Sequence, residues 1–168
     1  MKKVVLGLVA VVMLFAASAQ AQVFKLSLWG DICVPNEDYT GGLELGIGSE
    51  TKAVDGVQWG IIYSYAGKLQ GVQLGLVNNT DDGTGVQWGL VDLAENFKGI
   101  QYGFVNWTKN EFTGAQLGFI NYSKQVTGVQ FGFINYTETM KGIQLGLINI
   151  ITKNTMFLPV FVFFNFCF

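Results

Sequence analysis

The sequence predicts an all-β repeat protein, on three observations. A phrase built as Gly, apolar, Gln, apolar, Gly recurs from Gly42, Gly56, Gly71, Gly85, Gly99, Gly114, Gly128 and Gly142, at spacings of 14 or 15 residues. Such self-similarity at one fixed period is the mark of a repeat architecture. Within each copy the second, fourth and sixth residues are apolar, as in Val129, Phe131 and Phe133. Alternation with β-branched and aromatic residues is a strand signal, and two glycines per copy would each cost a helix about 1 kcal/mol. Charge is the third observation: within the eight-residue phrases only Glu44 and Asp92 are charged, and most of the other charges lie between phrases.

Taken in order, the chain opens "MKKVVLGLVAVVMLFAASAQAQ", two lysines followed by an apolar run and the small-residue site Ala19-Gln20-Ala21. This predicts a secretory signal peptide over residues 1–21, cut before Gln22, leaving one domain over residues 22–168. Loss of Lys2 and Lys3 takes the formal net charge from −2 to about −4. The sequence has no arginine. Neither property suits a nucleic-acid partner, and none is expected. Residues 23–30, "VFKLSLWG", alternate as a flanking strand.

The eight phrases follow. Gln stands third in seven of them, at Gln58, Gln73, Gln87, Gln101, Gln116, Gln130 and Gln144, with Glu44 in the first. Asn stands eighth at Asn78, Asn106, Asn121, Asn135 and Asn149, with Asp92, Tyr63 and Ser49 as exceptions. Short charged segments such as "LAENFK" and "YSKQVT" join the phrases, and residues 157–168 form an aromatic terminal strand. Two flanking strands and eight phrases make ten.

Tandem GxQxGxxN units behind a signal peptide and before an aromatic terminal strand resemble a family of bacterial surface-repeat proteins. The resemblance covers residues 42–149, with "LSLWGDI" and "NFCF" as secondary matches, and departs from the pattern at Gln and Asn in the first copy. It implies an exported protein at the outer membrane or cell surface of a two-membrane bacterium and carries no activity with it.

Two architectures fit. The first is a ten-stranded up-and-down barrel of the outer-membrane type. A ten-residue strand tilted by about 40° rises roughly 25 Å, an even strand count allows closure, and positions two, four and six would face outer-membrane lipid. The alternative is a β-solenoid with coils of 14–15 residues. It is favoured by the period itself, since a meander reverses at each strand and its unit would be 28 residues. The expectation adopted is the barrel. Against the solenoid stand the charged residues Glu95, Lys124 and Glu138, which would burden a two-layer core.

Chemistry is sparse. Histidine is absent, removing the commonest general base and metal ligand. Cys33 and Cys167 make no zinc site, and barrel geometry would set them at opposite rims. Asp81-Asp82 lacks the loop spacing of a calcium site. Asn-x-Ser/Thr at Asn78, Asn106, Asn121 and Asn135 follows from the repeat rather than from glycosylation. Trp59 and Trp88 share position four with leucines, which suits packing or lipid contact better than ligand stacking. The Gln series is expected to be a lumen-lining ring or an amide ladder. No enzyme, cofactor or metal is expected. The functional expectation is an exported structural or surface-interaction protein, with a solenoid binding module as the alternative and a narrow pore as a third reading.

Overall fold

A computed structural model describes residues 23–30 and 32–168; the signal-peptide reading of residues 1–21 lies outside them. The strands are β1 (Phe24–Trp29), β2 (Ile32–Val34), β3 (Tyr39–Thr40), β4 (Leu43–Leu74), β5 (Val77–Trp88), β6 (Val91–Tyr102), β7 (Val105–Leu117), β8 (Ile120–Phe131), β9 (Ile134–Ile151) and β10 (Val160–Cys167). They form one sheet in the order β10-β9-β8-β7-β6-β5-β4-β1-β2, with β3 paired to β4.

Consecutive repeats pair parallel and in register. Gln73 lies opposite Gln87, Gln87 opposite Gln101, Gln101 opposite Gln116 and Gln116 opposite Gln130. Parallel neighbours require the chain to return to its starting side in every unit. Here each 14- or 15-residue repeat does so by going once around a coil. The fold is therefore a β-solenoid of about eight turns of ~14 residues, and the expected barrel is corrected. An up-and-down barrel needs antiparallel neighbours. In this chain antiparallel pairing occurs where β1 meets β2 and where β9 meets β10, at the two ends of the stack.

The repeat is numbered from its first glycine. Inward-facing residues fall at positions three, eight, ten and thirteen. Positions three and eight are the Gln and Asn rows, ten is small or short (Ala66, Thr80, Ala94, Thr108, Ser123, Thr137), and thirteen is apolar (Val54, Leu69, Phe97, Phe112, Val126, Met140), all buried. Inward parity changes twice: at the bend of positions five and six, and again between ten and thirteen. The second change answers the objection from charge. Glu95 and Lys124 lie in the bend and are exposed, and the half-buried Glu138 pairs with Lys153 at the surface, while Phe97, Val126 and Met140 reach the core. Phe97 and Phe112 stack with ring centroids 6.3 Å apart.

The two glycines of each phrase have separate causes. At position one, from Gly56 onward, φ runs from +134° to +147°, and a Cβ there would overlap the carbonyl oxygen of the same glycine one coil earlier. At position five a Cβ would run into backbone, of the same coil at Gly60 and of the preceding strand or coil elsewhere, and in the later copies into the Asn amide; for Gly132 the Asn121 nitrogen would be 2.6 Å away. Close approach of backbones thus fixes glycine at both.

The flanks continue the sheet. Lys25 and Ser27 of β1 and Asn165 and Cys167 of β10 turn inward, so the apolar residues of both flanking strands face out. Cys33 in β2 and Cys167 in β10 sit at opposite ends of the sheet.

Candidate functional site: an uncharged outer face

Two rows of amides run through the interior. Each Gln donates through Nε2 to Oε1 of the Gln one coil earlier, at 2.7–2.9 Å from Gln144 down to Gln58. In most coils the same Nε2 also donates to the position-nine carbonyl of its own coil, as Gln87 does to Leu93 at 3.0 Å. The Asn row runs the other way, with Asn106 Nδ2 donating to Asn121 Oδ1, Asn121 to Asn135 and Asn135 to Asn149 at 2.7–2.8 Å. Buried polar groups require partners, and stacking supplies one per coil step. All twelve Gln and Asn residues singled out from the sequence are fully buried in these rows. The lumen-ring reading is set aside and the amide ladder stands. The pore reading rested on a barrel lumen, whereas here these side chains are buried and bond from coil to coil along the stack.

Side chains that interrupt the rows also explain the orphaned atoms. Ser64, not Tyr63, fills position eight of the second coil, because Ile62 is an extra residue at the bend. Its hydroxyl donates to the Leu74 carbonyl, which leaves Asn78 Oδ1 without a donor. Gln144 ends its row, and its Oε1 is unpartnered. The sequons have the same origin: positions eight and ten both face inward, so Asn and Ser/Thr recur two residues apart and are buried.

At the other end Glu44 replaces Gln and closes the Gln row. It accepts from Ser27 Oγ at 2.8 Å, Thr51 Oγ1 at 2.7 Å and Gln58 Nε2 at 3.3 Å, with Lys25 Nζ 3.8 Å away. Lys25 in turn donates to Thr51 Oγ1 at 2.8 Å and the Glu37 carbonyl at 3.0 Å. The first repeat is thus a true coil whose third residue terminates the ladder.

The outer surface is divided by charge. One side carries the return segments, with ion pairs from Lys52 to Asp38, Lys109 to Glu95 and Lys153 to Glu138 at 2.6–2.7 Å along the stack. Asp81 and Asp82 lie here, accepting from Tyr65 Oη at 2.8 Å and Asn96 Nδ2 at 2.9 Å. That bond to Asp81 pushes the Tyr65 hydroxyl up to about 12.

The other side carries positions two, four and six, and among the described residues none of these is charged. Register, carried through β4 by the bonds of Gln58 to Glu44 and Gln73 to Gln58, joins the position-four row into one line: Val34, Leu26, Leu45, Trp59, Leu74, Trp88, Tyr102, Leu117, Phe131, Leu145 and Phe164. Eleven rows at about 4.8 Å give a line roughly 48 Å long. Beside it run Leu76, Leu90, Phe104, Phe119 and Phe133 at position six, with the last three rings stacked at 4.7–4.9 Å. Trp59, Trp88 and Phe131 are 52–60% exposed, so these side chains are surface, not core. A shallow furrow of about 470 Å³ runs over the position-five glycines between Trp88, Tyr102, Phe104 and Phe119.

Sequence reasoning found the outward rows but missed the position-thirteen core, whose signal was an apolar residue two places before six of the eight phrases. It also left position nine unassigned; there Trp107 and Tyr122 stack at 3.8 Å and Tyr122 and Tyr136 at 5.2 Å along the surface. Among the described residues no cluster of three His, Cys, Asp or Glu could hold a metal ion. Comparison with protein-family models, with curated proteins and with solved structures finds no match to this chain.

Proposed function

We propose that this protein is an exported, non-catalytic β-solenoid that seats its uncharged face on a lipid surface at the bacterial outer membrane. The observation that carries the reading is the continuous apolar strip of positions two, four and six. At about 48 Å by 13 Å between backbone positions it covers roughly 600 Å². Exposed apolar patches of this size mark interaction sites. Its chemistry favours lipid over a protein partner. Protein interfaces carry about one hydrogen bond per 100–200 Å², whereas this strip offers few polar atoms beyond the Trp and Tyr tips. Trp and Tyr with Phe and Leu suit the boundary between headgroups and acyl chains, and the charged return side would remain in water. The signal-peptide pattern of residues 1–21 and the resemblance to surface-repeat proteins support export.

Because the strip lacks basic residues, binding should not require anionic lipid and should survive high salt. The test is flotation of residues 22–168 with phosphatidylcholine vesicles, with intrinsic tryptophan emission recorded. The expected result is co-flotation with a blue shift, unchanged at 0.5 M NaCl. Trp59→Glu with Trp88→Glu should weaken partitioning at least tenfold, about 1.4 kcal/mol. Folded protein left at the bottom of the gradient, with unshifted emission, would contradict the proposal.

A further inference from the structure

The Asn row is broken at one rung. Asp92 occupies position eight between Asn78 and Asn106. On one side Asn78 Nδ2 donates to Asp92 Oδ1 at 2.7 Å, and on the other Asn106 Nδ2 donates to Asn121 Oδ1 at 2.7 Å. Between them, Asp92 Oδ2 and Asn106 Oδ1 are both buried without a hydrogen-bond partner. The two oxygens flank a common point: a Cβ built on Gly103 would lie 3.0 Å from Asp92 Oδ2 and 3.1 Å from Asn106 Oδ1. Two unpartnered acceptors thus lie about one point, at the step where every intact rung pairs an amide donor with an oxygen. An ionised carboxylate cannot donate, and a protonated one can. A single proton on Oδ2 would satisfy both orphans.

The surroundings offer a carboxylate no charged side-chain partner. Facing Asp92 inside the coil are Asn78 and Thr80 from β5, Asn106 and Thr108 from β7, and the Gln87 and Gln101 amides, all uncharged and buried. The charged residues of these strands are Asp81 and Asp82 on β5, Glu95 and Lys98 on β6, and Lys109 and Glu111 on β7. They lie in the return segments, from which Lys109 reaches Glu95 on the outer surface. Burial pushes the Asp92 carboxyl up to about 7, against hydrogen bonds from Asn78 and the backbone of Gly89 and Tyr102 that lower it.

We propose that Asp92 is a proton-binding rung of the solenoid: its Oδ2–H donates to Asn106 Oδ1 and closes the Asn row, and loss of that proton opens the row. The opening would fall under the corner that carries Trp88, Leu90, Tyr102 and Phe104. The device does not depend on what the outer face binds.

The folded-state value is raised, so the folded chain holds the proton where the unfolded chain has released it. The stabilisation is complete below about pH 4 and is lost as pH rises to about 7. Across that window the unfolding constant should climb about tenfold per pH unit relative to a variant without the carboxyl. The experiment is denaturant unfolding of residues 22–168 and of Asp92→Asn from pH 4.5 to 8.5. The amide supplies permanently the donor that the proton supplies conditionally. The expected result is similar stability near pH 4.5 and a gap of 10²- to 10³-fold in the unfolding constant by pH 8, with Asp92→Asn the more stable. Superimposable pH profiles would overturn the proposal. So would failure of Asp92→Asn to fold, since Asn fits the neighbouring rungs. Carbon-13 titration of the Asp92 carboxyl in the unmodified chain gives an independent reading: a midpoint near 7 supports the rung, and one near 4 overturns it.

Discussion

Gly128→Ala should remove more than about 4 kcal/mol, far beyond the usual cost of a single substitution. Gly128 has φ +135°, and an added Cβ would overlap the Gly114 carbonyl oxygen one coil earlier. Local relief is blocked from the other side, because Gly142 rests on the Gly128 carbonyl in the same way. The clash is with backbone on both sides, so one methyl group must separate two coils. In a stacked array each unit is stabilised by its neighbours, and a defect in the middle divides the array. Denaturant unfolding of Gly128→Ala should show a lowered midpoint, and amide exchange should rise first in β7, β8 and β9. Thr127→Ala, one residue earlier and exposed, should change stability by no more than about 0.5 kcal/mol.

Breaking the terminal pair is expected to cost nearly as much. Lys25 and Glu44 are 1% and 0% exposed and close the Gln row where it meets β1. Removing one member of a buried pair typically costs about 3–5 kcal/mol, because the other is left charged and uncompensated. Glu44→Gln restores the repeat residue but strands the Lys25 ammonium; Lys25→Met strands the carboxylate. The double variant removes both charges and extends the amide row to Gln at position 44, so it should recover most of the loss. A thermodynamic cycle over the four chains should give a coupling of at least about 2 kcal/mol. Additive single losses would mean that the pair contributes no interaction of its own.

Both predictions depend on features only partly readable beforehand. The period of 14 or 15 residues, the Gln and Asn rows and the outward apolar positions were all visible in the sequence. An uncharged outer face invites lipid and so favours a barrel, yet a solenoid can present the same outer rows. What separates the two is the side on which residues seven to fourteen return. That depends on the parity changes at positions five to six and ten to thirteen. Neither bend has a strong local signal. The first is a single glycine, and the second is marked by charged residues that read equally well as a turn. Insertions hid more: with Ile62 uncounted, Tyr63 took the place of Ser64 at position eight, and the extra residue in the coil of Phe112 displaced the position-thirteen row. Gly83 breaks that row too, since the Phe97 ring fills the space its side chain would take. Asp92 was visible as an exception to Asn, but the facing orphan on Asn106 is a property of stacking.

Parallel, in-register stacking underlies both the apolar strip proposed to meet lipid and the rung proposed to bind a proton, and one cross-linking measurement tests it most directly. Thr113 and Thr127 are exposed, belong to successive coils and lie opposite each other in the register. Neighbouring strands are about 4.8 Å apart, within disulfide reach. In an up-and-down barrel the two positions would fall in successive turns at opposite rims. In a Cys33→Ser, Cys167→Ala background, Thr113→Cys with Thr127→Cys should therefore oxidise almost completely within the monomer. Thr113→Cys with Lys141→Cys, two coil steps and about 10 Å apart, should stay reduced. Free thiols in the first pair of well-folded protein would contradict the stacked coil.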